Sequence, residues 1–176
     1  MELDQIRRHS LFLRWIVALG AVFILAFLSV IILVPPLMED IVIRSYGAIS
    51  PTDITNTKHL MLSGLALVAM LPTFRALQLV WRLFGLYAAG EVLTESAAAT
   101  LKSLGRTAIL MSIVSIGTPT LVVLILTYDN PPGAKQLLVQ ISGASYALAL
   151  FGGLIMTIGQ AMTVAARIDA ENKAII

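Results

Sequence analysis

Charge is missing from long stretches of this chain, and that absence limits its fold more than any motif does. Twenty consecutive residues from Trp15 to Val34 are uncharged, as are 22 from Thr107 to Tyr128 and 31 from Gln136 to Ala166. A fourth run, Leu60 to Phe74, has 15 and continues past Arg75. A helix needs roughly 20 apolar residues to cross the hydrocarbon of a bilayer. The chain therefore reads as four transmembrane spans.

Composition agrees. The chain is 58% hydrophobic and 12% charged, with mean hydropathy +0.90. A soluble domain carries about 25% charge, so these few charges cannot coat a water-facing surface. Four spans with their loops take up the 176 residues and leave no room for a separate soluble domain. The net charge of +2 does not point to nucleic acid, because the positive residues cluster at span ends as membrane topology requires. There are no cysteines, which excludes disulfides, thiolate metal sites, thiol redox chemistry and palmitoylation. Arg7 and Arg8 ahead of an apolar run resemble a signal sequence, but the run is too long and Val34-Pro35-Pro36 is no cleavage site. The reading is an uncleaved first span.

With both ends of the chain in the cytoplasm, Arg7, Arg8, Arg14, Arg75, Arg82, Lys102, Arg106, Arg167 and Lys173 fall at the inner face. Arg44, Lys58 and Lys135 fall outside. The excess of Lys and Arg inside sets the orientation. The expected fold is all-α: a polytopic antiparallel bundle of four transmembrane helices with short amphipathic cytoplasmic extensions. The spans cover about 11–34, 58–81, 106–128 and 136–162, with outer loops 35–57 and 129–135 and a cytoplasmic corner 82–105.

Local signals divide these segments. Pro35-Pro36 stops span one. Ser50-Pro51-Thr52-Asp53 is a helix start, with a capping serine, a proline in first position and an acid behind it. Either span two begins there or a short separate helix does. Trp81 and Tyr87 read as interface anchors. Gly90 ends the helix of span two, and Thr94 caps the next helix with Glu95 in its first turn. Pro119 interrupts span three, and Asp129-Asn130-Pro131-Pro132-Gly133 is a turn. Span four, at about 46 Å if straight, must tilt or project into the cytoplasm. On it Ser145, Ala149, Gly153, Thr157 and Ala161 recur every fourth residue. Such a stripe serves packing inside the bundle or a homodimer face.

Chemistry is sparse. His9 and His59 stand at opposite membrane faces, about 30 Å apart, and cannot share a metal. No acidic residue falls within a span, which argues against a proton-driven transporter and an intramembrane aspartyl protease. No serine–histidine pair, phosphate loop or metalloprotease motif is present. The chain reads as a non-enzyme without cofactor, and Arg75 is the one ionisable residue within the hydrocarbon. It either snorkels to the interface or contacts an anion or lipid headgroup near the Pro72 kink.

The segment Arg82-Leu-Phe-Gly-Leu-Tyr-Ala-Ala-Gly-Glu-Val-Leu-Thr94, with Leu101-Lys-Ser-Leu-Gly105 and the ending Arg167-Ile-Asp-Ala-Glu-Asn-Lys-Ala-Ile-Ile176, resembles a bacterial family called domain of unknown function 2975. Leu93 and Ala97 or Ala98 depart from the phenylalanine and the polar residue expected there. The resemblance implies a small four-span inner-membrane protein whose 82–105 segment joins spans two and three in the cytoplasm. It also implies a cytosolic helix-turn-helix regulator as partner, and no catalytic residues. Tyr87, Gly90, Glu91, Thr94 and Lys102 are then the candidate partner surface, beside the lipid bilayer itself and a second copy of the chain. Direct nucleic-acid binding is not expected. A small transporter or channel, or an immunity-type membrane protein, is the alternative.

Overall fold

The computed structural model describes residues 2–46 and 54–174, with side chains over 8–46 and 54–168. The described residues form five helices and no strand: α1 (Glu2–Leu33), α2 (Pro35–Tyr46), α3 (Asn56–Ala88), α4 (Glu95–Thr127) and α5 (Gly143–Ala174). Four of them, all but α2, are long and apolar enough to cross a membrane. They expose large apolar residues, among them Phe23 on α1, Leu71 on α3, Ile113 on α4 and Phe151 on α5.

The chain bends between α1 and α2 because Pro35 has no N–H with which to continue the first helix. The Val34 carbonyl instead accepts from the N–H groups of Leu37 and Met38, 3.0 and 3.3 Å away. The segment expected as a polar outer loop thus begins as a 12-residue helix. Its exposed charges Asp40 and Arg44 pair with each other at 2.9 Å. Met38 and Val42, one turn apart, are buried against Leu62 and Leu126. An i, i+4 apolar pair facing the layer is what a short helix lying over the end of a helix layer requires. The start signal at Ser50–Asp53 lies outside the described residues.

Thr55 caps α3, its hydroxyl accepting from the Lys58 N–H at 3.4 Å. The helix continues through Pro72 to Ala88, well past the expected end of span two, and α4 begins 11 residues ahead of the expected span three. Between them the corner closes as a Schellman turn. Gly90 has φ +83, the Glu91 N–H reaches the Leu86 carbonyl at 2.9 Å, and the Gly90 N–H reaches that of Tyr87 at 3.1 Å. Thr94 caps α4 by accepting from the Ala97 N–H at 3.2 Å. Gly90 and Thr94 thus stand in the roles their sequence gives them.

Residues 134–142 form no regular element, and α5 starts at Gly143, seven residues after position 136. Side chains of α4 and the turn compete for the backbone of this segment. Thr120 donates to the Leu138 carbonyl at 2.6 Å and Asn130 to that of Ala134 at 3.2 Å. The Thr127 hydroxyl accepts from the Gln136 N–H at 3.4 Å. Ser142 then caps α5, accepting from the Ser145 N–H at 3.0 Å. The uncharged part of the helix, Gly143 to Ala166, measures about 36 Å rather than about 46 Å, so the surplus over a core of about 30 Å shrinks to about 6 Å.

The principal contacts join α1 to α3, α3 to α4 and α4 to α5, with α2 against α1. A closed bundle would also seat α5 on α1, and among the described residues no contact of comparable extent joins them. The residues that meet come in opposite order along α3 and α4 and along α4 and α5. Lys58 meets Asp129, and Arg75 and Arg82 share a cleft with residues 95–103. Gly105 lies against Gly152 and Met156, and Gly159 against Ala98 and Lys102.

Candidate functional site

The corner carries most of the predicted partner surface. Gly90 and Glu91 are exposed, while Tyr87 and Thr94 are half-buried. Leu93, at the tip, is 67% exposed although the turn around it is held by its own hydrogen bonds. Lys102 is separate from this group. Its backbone and side-chain stem cover Gly159 of α5, so its location is the α4–α5 crossing.

Arg75 stands where the exposed face of α3 changes character. Leu60, Leu67, Val68 and Leu71 are exposed apolar residues, and the exposed positions that follow are Arg75, Gln78, Trp81 and Arg82. Arg75 donates through Nη1 to Gln78 Oε1 at 2.7 Å. Together with Arg82 it lines a cleft of about 430 Å³, whose opposite wall is Glu95, Ser96, Thr100 and Ser103 of α4. The exposed Arg75 side chain therefore borders a polar recess. On the other side of α3, the Arg14 guanidinium lies 4.3 Å from the centre of the Trp81 ring. Trp81 is thus held by a cation.

A second polar cluster, deeper in the molecule, was not singled out from sequence. Ser112 donates to the Ser145 carbonyl at 2.6 Å. Ser115 and Ser145 share a hydrogen bond of 2.7 Å, and Ser142 and Ser145 one of 2.8 Å. Ser112 and Ser145 are both buried. Ser115 also faces a cavity of about 350 Å³ bounded by Tyr46, Met70, Thr73, Thr118 and Pro119. Tyr46 and Thr118 continue into a smaller apolar cavity of about 240 Å³ beneath Met38 and Val42. Burial raises the Tyr46 phenol above its ordinary value. The sequence held one signal, the Ser112-x-x-Ser115 pair opposite Ser142-x-x-Ser145. Only the meeting of the two helices makes it a network.

At the same end as α2, Lys58 is buried, 2% exposed, and its Nζ lies 2.7 Å from Asp129 Oδ1. Tyr128 adds a ring face 5.9 Å away. The hydrogen bond from Lys58 holds the Asp129 carboxyl below the ordinary value of 3.8, against the opposing effect of burial. This pair fastens the first turn of α3 to the turn after α4, at places read from sequence as the start of span two and the outer loop 129–135.

The small-residue stripe has a different placement from the α4 contact. Ser145 lies on that contact, but a side chain at Gly153 would meet nothing within 4 Å, and Thr157 and Ala161 are exposed. The close approach uses Gly152 and Gly159 instead. Among the described residues no group of three His, Asp or Glu side chains is placed to hold a metal.

No family model matches the chain, and neither the curated proteins nor the solved structures contain a significant match to it.

Proposed function

We propose that this is a multi-pass protein of a bacterial inner membrane that acts without catalysis, as the membrane partner of a cytosolic regulator docked at the 82–105 corner. The observation that carries the proposal is Leu93. An apolar side chain held two-thirds exposed on a rigid turn, with exposed Glu91 and Glu95 beside it, suits recognition by a protein better than by lipid. Arg14, Arg75, Arg82, Lys102 and Arg106 lie toward this end and Arg44, Lys58 and Lys135 toward the other, which supports a cytoplasmic corner. The opposite order of the contacts between α3 and α4 and between α4 and α5 supports an antiparallel arrangement of the four long helices. The resemblance to domain of unknown function 2975 points to a helix-turn-helix protein as the partner. A photoreactive residue at Ala89, which is exposed, tests this in native membranes. Capture of a DNA-binding protein is the expected result. Capture of nothing, or only of the chain itself, overturns it.

A small transporter or channel is the second reading, favoured by the 350 Å³ cavity beside Pro119. Its walls hold hydroxyls and no carboxylate, so it would serve a neutral solute rather than proton exchange. Solute flux in proteoliposomes, lost in Thr118→Leu, is its test.

A further inference from the structure

We infer that the cleft between α3 and the start of α4 binds a phosphate group, carried either by a lipid headgroup or by a free phosphate ester. The inference goes beyond partner docking and does not depend on it.

The first argument is the supply of unused donors. Arg75 and Arg82 are seven residues apart, two helical turns, and so project from one face of α3. Neither guanidinium has a carboxylate within 4 Å among the described residues. Arg75 spends one N–H on Gln78, and Arg82 has no hydrogen bond there. A guanidinium offers five N–H donors in a planar fork that matches phosphate oxygens. Two such groups beside one recess are an excess of donors that protein groups do not use.

The second is the facing wall. Ser96 lies in the first turn of α4, where N–H groups lack helical acceptors and the dipole favours negative charge. The Thr94 hydroxyl takes only the Ala97 N–H. Thr100 and Ser103 donate to the carbonyls of Ser96 and Ala99 at 2.8 and 2.9 Å, so they form a polar wall without demanding partners. Glu95 is the one acid in the lining. It limits the negative charge the cleft accepts and can receive a hydrogen bond from a hydroxyl or ammonium on the phosphate substituent.

The third is position and size. The cleft opens where the exposed apolar face of α3 ends, at Leu71 and Arg75. Lipid phosphates lie at that boundary. A volume of about 430 Å³ holds a phosphate with a glycerol- or ethanolamine-sized substituent.

The test is binding to purified protein in phosphate-free detergent, followed by native mass spectrometry. The probes are short-chain phosphatidylglycerol, phosphatidylethanolamine, glycerol phosphate and inorganic phosphate. Wild type is expected to retain a phosphate-bearing probe, and Arg75→Gln and Arg82→Gln each to weaken it about tenfold, with unchanged thermal transitions. Arg106→Gln, an exposed cation outside the cleft, should bind as wild type. Retention of the lipids alone identifies a headgroup site; retention of glycerol phosphate or inorganic phosphate as well identifies a site for a free phosphate. Binding of no probe overturns the inference, as does equal loss in Arg106→Gln, which would mean attraction by surface charge in general.

Discussion

Gly105 and Gly152 bring the backbones of α4 and α5 into direct contact. A methyl group on Gly105 would sit 2.6 Å from the Gly152 carbonyl oxygen and 2.6 Å from the Met156 nitrogen. Both obstacles are backbone atoms, so only movement of a whole helix makes room. Without a hydrophobic drive between helices in lipid, such close van der Waals approach is a principal source of cohesion.

Gly105→Ala should therefore lower stability in detergent by about 1–3 kcal/mol, the usual cost of overpacking. Gly153→Leu should leave it nearly unchanged, because nothing lies within 4 Å of a Cβ there. Thermal unfolding of the two variants side by side checks this. Equal losses would show that the Gly153 face is also packed.

Asp129→Asn should destabilise the protein far more than Asp40→Asn. The first leaves Lys58 buried without its counter-charge, whereas the Asp40–Arg44 pair is solvent-exposed. Because the folded protein holds the Asp129 carboxyl below its ordinary value, the pair contributes fully above about pH 4. That contribution fades as pH falls through the lowered value. Acid titration of thermal stability should thus show a step below pH 4 that Asp129→Asn lacks.

Ser142→Ala removes the acceptor for the Ser145 N–H and one link of the serine network. A lost helix cap costs about 1 kcal/mol. Hydrogen exchange at Gly143 to Tyr146 should quicken while exchange in α3 stays at the wild-type rate. Uniform quickening would mean that the cap supports the whole assembly.

Arg75→Leu should fold with a stability within about 0.5 kcal/mol of wild type, as expected for an exposed position. A large loss in thermal unfolding would show that the Gln78 bond and the cleft are structural.

The α4–α5 contact follows a seven-residue step rather than the four-residue step of the stripe. At about 100° per residue, a four-residue step advances about 40° round the helix, so Ser145 and Ala161 end up on different faces. A seven-residue step drifts back only about 20°. That is why Gly152 and Gly159, rather than Gly153 and Thr157, stay against α4.

The chain's own sequence determined the four long apolar helices, the corner at Gly90 and Thr94, and the turn at Asp129 to Gly133. Each depends on hydropathy or on a few adjacent backbone groups, and these are local. Tertiary structure alone decided the rest. Met38 and Val42 become core only when Leu62 and Leu126 arrive to cover them. Residues 134–142 stay out of α5 because hydroxyls 9 to 18 positions away bind their backbone. Arg75 and Arg82 gain a cleft only because α4 returns beside α3. In each case the partner that fixes the outcome is distant in sequence, and no local pattern encodes its position.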